Sequence, residues 1–330
     1  MTIHAKISGV GHYVPPRVLT NKDLEKIVET SDEWIQSRTG IRERRILEDG
    51  KGSSYMGALA AKLALENAEI SPQEIELIVV ATVTPDMFFP STACLVQEEI
   101  GAKNAWGVDV NGACTGFLYA TAMAAQFIES GRYRKVLVVG SDKMSAITDY
   151  TDRNTCILFG DAAGAIVLEP TENPQEGIMD FLLKSDGSGQ NFLYMKGGGS
   201  LHPATHETVD NKMHYIYQDG RTVFKFAVTG MADITEEIVR KNNIDPQDIK
   251  LFIPHQANLR IIDATAKRLK LPDEKVLINI HRYGNTTAAT IPLGLSEAYY
   301  DGRIQQGDIL VFAAFGAGFT WGSILLRWAY

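Results

Sequence analysis

The feature that most constrains this chain is an internal echo. Ser71-Pro72-Gln73-Glu74-Ile75-Glu76-Leu77-Ile78 resembles Asp245-Pro246-Gln247-Asp248-Ile249-Lys250-Leu251-Phe252 at an offset of 174. Ser130-Gly131-Arg132 resembles Asp301-Gly302-Arg303 at 171, and the apolar run Val136 to Val139 answers Ile309 to Phe312 at 173. Gly164-Ala165-Ile166-Val167-Leu168 answers Gly322-Ser323-Ile324-Leu325-Leu326 at 158, because the first half carries about fifteen extra residues before that run. Matched segments in one order are the signature of a duplicated unit, so any fold must be built twice. The halves divide as 1–171 and 172–330.

The coarse pattern of each half agrees. The first reads as strand 5–10, helix 56–68, strand 77–81, helix 93–100, strand 106–109, helix 115–130, and strands 136–141 and 163–168. The second reads as strand 177–184, helix 223–242, strand 251–253, helix 258–269, strand 276–279, helix 286–300, and strands 308–314 and 322–328. Runs such as Leu77-Ile78-Val79-Val80 are apolar on both faces, which implies mostly parallel sheets covered by helices. Helix 115–130 is apolar nearly all round (Phe117, Leu118, Ala120, Met123, Ala124, Phe127, Ile128), so it belongs in a buried layer between two sheets. Residues 11–55 and the glycine-rich excursion 185–222 fall outside the repeat and read as site walls or lids.

Composition narrows the class. At 330 residues the chain can hold two domains or one duplicated one. A net charge of −8 leaves no global basic footprint for nucleic acid. The longest apolar runs are strand-sized and cannot span a bilayer, and the N-terminus lacks the apolar core of a secretory signal. Three cysteines, Cys94, Cys114 and Cys156, do not make a disulfide framework, which fits a reducing cytoplasm.

One cysteine has a context. In Asp109-Val110-Asn111-Gly112-Ala113-Cys114-Thr115-Gly116 a strand ends, a glycine-flanked turn follows and the buried helix begins, the strand–turn–helix layout of a nucleophile elbow. A thiol there meets the positive end of a helix dipole, which favours thiolate, and its own N–H supplies half of an oxyanion hole. The alternative is a packed core cysteine. Adding the repeat offset of 171 to Cys114 lands on Asn285, which follows Gly284 at the head of another apolar helix. His255, in Pro254-His255-Gln256-Ala257-Asn258, follows strand 251–253, and ligands gather at the carboxyl ends of such strands.

These motifs, with Tyr283-Gly284-Asn285-Thr286, Phe315-Gly316-Ala317-Gly318-Phe319-Thr320-Trp321-Gly322, Ser31-Asp32-Glu33-Trp34 and Arg38-Thr39-Gly40-Ile41, resemble those of β-ketoacyl-acyl-carrier-protein synthase III along essentially the whole chain. The resemblance implies the α/β thiolase fold, layered α-β-α-β-α, a homodimer, and condensation of an acyl-coenzyme A primer with malonyl-acyl carrier protein. No metal or redox cofactor is implied. Cys114 would carry the acyl group, the amides of Cys114 and Ala317 would hold the oxyanion, and His255 and Asn285 would serve the malonyl thioester. Trp34 and Arg153 would sandwich the adenine of coenzyme A, with Arg38 and Thr39 beside it. Leu158, Phe159 and Phe89 of the opposite subunit would floor the acyl pocket, and Gln256, Ala257, Asn258, Leu259 and Arg260 would dock the acidic carrier.

Other features carry less. Pro203 breaks the helix that would align His202 with His206 as metal ligands, and Gly9-Val10-Gly11 lacks the third glycine of a dinucleotide fingerprint. A cysteine hydrolase would keep the elbow, but its triad runs nucleophile, acid, His, and it has no duplication. The nearest rival is the same fold with other chemistry: a ketosynthase-III-like enzyme of secondary metabolism, or an acyltransferase that moves the acyl group to an oxygen or nitrogen acceptor.

Overall fold

The computed structural model describes residues 3–330, so Met1 and Thr2 lie outside the description. The first half builds a five-stranded sheet in the order His4–Tyr13, Ala162–Thr171, Val136–Asp142, Leu77–Ala81, Trp106–Val110. Leu77–Ala81 is buried at every position, as its unbroken apolar run requires, and pairs in parallel with both neighbours. The second half builds the order Ile249–Pro254, Ile309–Gly316, Thr320–Arg327, Gly177–Ser185. Both sheets are mixed. Three of the seven pairings are parallel and four antiparallel, so parallel pairing does not predominate as expected from the buried runs. Each half closes with strands that double back on their predecessors, and strands so buried are apolar on both faces whichever way they run.

One expected strand does not form. Segment 276–279 makes only an isolated bridge from Val276 to Phe252 before the short helix Ile280–Tyr283. The reason is the buried side chain of Gln256. Its amide nitrogen donates to the carbonyls of Pro254 and Leu277 (2.9 Å each), and its oxygen accepts from the N–H groups of Asn279 and Ile280 (3.1 and 3.2 Å). Backbone groups that a ladder would have paired are taken by one side chain.

Helices cover both sheets and fill the space between them. Gly116–Glu129 and Thr290–Tyr300 lie in the middle, where Phe117, Ala120, Ile291 and Leu295 pack with Leu77 and Val79 of one sheet and Ile253 and Phe312 of the other. Ser53–Asn67 and Thr92–Ile100 cover the outer face of the first sheet, and Gly220–Lys241 and Leu259–Arg268 that of the second. Five layers result, and the central core belongs to both halves. Each large side chain buried there contributes ~1.5–3 kcal/mol. The Gly116–Glu129 helix is not enclosed all round: Met123 is 45% exposed, and Phe127 packs on Trp106 and Tyr133 beside the edge strand, beyond which no further strand covers the helix.

Candidate active site

The nucleophile candidate sits on a strained turn. Trp106–Val110 ends, Ala113 takes φ +47°, and a 3₁₀ turn over Ala113–Thr115 leads into the helix at Gly116. Holding a Cβ-bearing residue in the left-handed region costs energy, and here it turns the chain sharply enough to lift Cys114 to the head of the buried helix. The hairpin joining Ile309–Gly316 to Thr320–Arg327 braces the turn: Thr320 Oγ1 donates to the carbonyl of Gly112 (3.1 Å), and Thr115 Oγ1 donates to that of Thr320 (3.1 Å). Gly316 approaches so closely that a Cβ on it would stand 2.8 Å from the Cys114 nitrogen.

Cys114 is not a ready thiolate. Burial pushes its thiol up to about 12, the buried carboxylate of Asp142 adds to the rise, and the turn amide and the Asn285 side chain oppose it. The helix dipole expected to favour thiolate is outweighed by desolvation of the buried sulfur.

His255 and Asn285 reach the same cavity from the other half. His255 follows Ile249–Pro254, donates its backbone N–H to Ala313 (2.8 Å), and is 2% exposed. Burial lowers its imidazole to about 3, so it is neutral. Its Nδ1 meets Thr290 Oγ1 at 3.2 Å, while Nε2 is buried without a partner among the described residues. The backbone of Asn285 is clamped across the halves by N–H donation to Leu158 (2.8 Å) and by the Gly160 N–H donating to its carbonyl (3.0 Å). Its Oδ1 accepts the Thr287 N–H (2.9 Å), which leaves the amide Nδ2 free to point toward Cys114.

The repeat places Asn285 differently from the offset argument. Thr287 has φ +49° and opens the 3₁₀ turn Thr287–Ala289, which leads into the helix at Thr290. Ala113 and Gly116 stand in the same places, so the offset here is 174, and the mate of Cys114 is Ala288. Asn285 answers Asn111, three residues ahead of the nucleophile's position. The value of 171 came from the ends of the helices, where the second copy is three residues shorter.

All three residues line one cavity of about 1080 Å³, together with Ala317 and Gly318. Its apolar wall is Val83, Met144, Ile147, Ile157, Leu158 and Phe159, and the excursion adds Leu193, Tyr194, Met195 and Ile216. The excursion is pinned to the first half by Lys212 Nζ on Asp149 (2.8 Å) and Thr151 (2.6 Å). Phe89 lies elsewhere, 83% exposed and outside this chain's cavity.

The mouth holds Trp34, Arg38, Thr39, Asn154, Arg221, Phe224 and Arg260. Trp34 and Arg38 share the helix Asp32–Thr39. Arg153 lies 5.2 Å from the Trp34 ring centre, so the two already stack on each other with no gap for a base between them. Thr39 is buried, and its hydroxyl is spent on the helix end, donating to Ile35 (2.7 Å) and accepting from Ile41 (3.0 Å). Of the five docking candidates only Arg260 is exposed, its guanidinium 5.0 Å from the Phe224 ring centre. Gln256 is buried and saturated, Leu259 packs against Gly40 and the Asp32–Thr39 helix, and Asn258 caps its own helix at the Arg260 N–H (2.9 Å). Gln256 is thus closed to a partner, while Asn258 and Leu259 are half-exposed with part of each side chain engaged inside the chain. Ala257 faces the cavity. Arg221, Phe224, Met144, Ile147, Asp142 and Thr290 were not singled out from sequence; Arg221 alone had a local signal, a cation opening a helix straight after the glycine-rich excursion.

Residues 108–187 match the family described as 3-oxoacyl-[acyl-carrier-protein] synthase III, and residues 239–328 match its C-terminal part. The β-ketoacyl-[acyl-carrier-protein] synthase III of Koribacter versatilis (strain Ellin345) is 56% identical over 327 residues, covering 99% of this chain and 98% of that protein. The crystal structure of 3-oxoacyl-[acyl-carrier-protein] synthase III from Aquifex aeolicus VF5 superposes with a TM-score of 0.91 at 46% identity, over 98% of this chain and all of that one (100%). The priming β-ketosynthase of the R1128 polyketide biosynthetic pathway superposes with a TM-score of 0.92 at 35% identity, over 99% and 97% of the two chains. A cysteine elbow, a neutral histidine and an asparagine on one cavity of a duplicated five-layer fold, with these likenesses over its whole length, make the chain a member of the 3-oxoacyl-[acyl-carrier-protein] synthase III family, acyltransferases of the thiolase fold.

Proposed function

We infer that the chain moves an acyl group from acyl-coenzyme A to Cys114 and condenses it with malonyl-acyl carrier protein, giving a 3-oxoacyl-acyl carrier protein and starting fatty-acid synthesis. The observation that carries this reading is the unpartnered, neutral His255 Nε2 in the same cavity as Cys114 and the free amide of Asn285. Cys114 sulfur attacks the primer carbonyl, coenzyme A leaves, and the thiol proton ends on its sulfur. The N–H groups of Cys114 and Ala317 hold the oxyanion.

Malonyl thioester then takes the vacated site. His255 Nε2–H and Asn285 Nδ2–H donate to its carbonyl oxygen, where negative charge grows as the carbon–carbon bond breaks and carbon dioxide departs. Donors that cannot lose their protons easily, such as a neutral imidazole and an amide, stabilise that charge without quenching it. The enolate carbon attacks acyl-Cys114, and the cysteine sulfur leaves. No step requires a metal or redox cofactor. The apolar wall from Val83 to Phe159 fits a hydrocarbon primer, and Phe89 of the opposite subunit would close its end in a cytoplasmic homodimer.

For coenzyme A, Trp34 offers a stacking face and Arg38 and Arg221 offer charge to phosphates; Arg153 must swing off Trp34 before an adenine can enter. His255→Ala and Asn285→Ala test the reading. Each should still acquire primer mass on Cys114 while losing ~10²–10³ in malonyl decarboxylation. Normal carbon dioxide release by either variant would contradict it. The 35% likeness to a priming polyketide synthase favours one alternative, the same chemistry on a polyketide carrier, and turnover with the two kinds of carrier separates them.

A further inference from the structure

We propose that Thr290 is a positioning residue that fixes the tautomer of His255, keeping the proton on Nε2, where the malonyl carbonyl oxygen arrives. The inference rests on the reading of His255 as a donor and adds the reason it can be one.

The two ring tautomers differ in how many buried polar groups they leave unpaired. His255, Thr290 and Thr286 form a buried row: Nδ1 to Thr290 Oγ1 at 3.2 Å, then Thr290 Oγ1 to Thr286 Oγ1 at 3.1 Å. Thr286 and Thr290 are each 1% exposed, and among the described residues neither hydroxyl has another hydrogen-bond partner. The row can hold either ring tautomer. In one, Thr286 O–H donates to Thr290, Thr290 O–H donates to Nδ1, and the ring proton sits on Nε2. Both hydroxyl hydrogens then have an acceptor, and the one group of the row left unpaired is Nε2–H, which faces the arriving carbonyl oxygen. In the other, Nδ1–H donates to Thr290, and the two threonine hydroxyls share the one contact between them in either direction. Either way one threonine hydroxyl hydrogen is buried with nowhere to go, and Nε2 becomes a second unpaired group, an acceptor that repels the growing enolate charge.

The Nδ1–H tautomer therefore leaves one more buried polar group unpaired than the Nε2–H tautomer, at ~1–3 kcal/mol, enough to decide between tautomers that are otherwise nearly equal in energy. Burial keeps the imidazole neutral, so the choice between the two rings is a real one rather than being erased by protonation. The row is also built to stay put. Thr290 opens the central helix Thr290–Tyr300, and Thr286 precedes the turn that Asp142 holds through its bonds to the Thr287 hydroxyl and the Ala288 N–H.

The test uses full-length protein labelled with ¹⁵N-histidine, comparing wild type, Thr290→Val and Thr290→Ser. In the wild type the His255 ring should show the Nε2–H tautomer. In Thr290→Val, which keeps the shape and removes the donor, the Nδ1–H form should gain population, and malonyl decarboxylation should fall relative to Cys114 acylation. The fall is bounded by the ~10²–10³ that losing a whole oxyanion donor costs. Thr290→Ser should restore both the tautomer and the rate. An unchanged Nε2–H tautomer in Thr290→Val overturns the inference even if the rate drops, since the residue would then act only through packing. If His255→Ala decarboxylates normally, the role given to His255 fails, while the ring spectra still decide what Thr290 does to it.

Discussion

Ala113 and Thr287, 174 positions apart, hold the same left-handed backbone, φ +47° and +49°, at the first residue of matching 3₁₀ turns. One turn delivers the cysteine; the other delivers Ala288 in its place and puts its polar residue earlier, at Asn285. Asp142 ties the second turn to the first half: its Oδ1 accepts from Thr82, Val83 and Thr84, while its Oδ2 accepts from Thr287 and Ala288. Gly140 allows this approach, because a Cβ there would strike the Ala288 carbonyl. The duplicated fold thus supplies two copies of one strained turn, and the site is the asymmetric product of filling them differently.

Gly316→Ala should damage acylation selectively. Its new methyl would stand 2.8 Å from the Cys114 nitrogen and 3.2 Å from that of Thr115, both backbone atoms, so the elbow must shift. Misplacing a nucleophile by about 1 Å costs ~10² in rate, and stopped-flow measurement of coenzyme A release should show a loss of that order. Release at the wild-type rate would mean the elbow tolerates displacement.

His255 should lower acid stability. The folded ring is held to about 3 against an ordinary 6.5, so as pH falls below 6.5 the unfolded chain binds a proton that the folded chain refuses. Its contribution is full above pH 6.5 and is lost as pH falls, at up to ~1.4 kcal/mol per unit. Urea midpoints at pH 7.5 and 5.5 should therefore drop further for the wild type than for His255→Gln. Equal drops would show that the ring is not held neutral.

Arg260→Glu should raise KM for malonyl-acyl carrier protein on the order of tenfold and flatten its salt dependence, as reversal of a rim charge does. Arg260 is the exposed cation of the Leu259–Arg268 helix that lines the cavity; Lys267 and Arg268 lie farther along it, Arg268 engaged with Asp233 and Glu236. Equal damage with a small malonyl thioester would place Arg260 in the substrate site instead.

The architecture was legible because buried strands and a helix without a polar face leave few arrangements, and a duplicated pattern leaves fewer. Strand 276–279 was misread because nothing local announces that Gln256, some twenty residues earlier, will take its backbone bonds. Asn285 was reached through an offset that the turns do not obey; the Tyr283-Gly284-Asn285 motif pointed to the same residue on firmer ground. Asp142 and Thr290 were invisible, since their partners lie 145 and 35 positions away and only the packed halves bring them together. Gln256, Leu259 and Thr39 show the converse: a motif keeps residues for internal bonding as readily as for contact with a partner. The thiol's state depended on burial, which outweighs a dipole that sequence alone can see.

The central claim is that the acyl group rides on Cys114. Intact-mass analysis after incubation with a panel of acyl-coenzyme A thioesters tests it directly. The wild type should gain the mass of one acyl group, located to the peptide bearing Cys114, and Cys114→Ser should gain none, because a neutral hydroxyl is a far weaker nucleophile than a thiolate formed on attack. Acylation of Cys114→Ser at the wild-type rate, or label found on Cys94 or Cys156, would contradict the account.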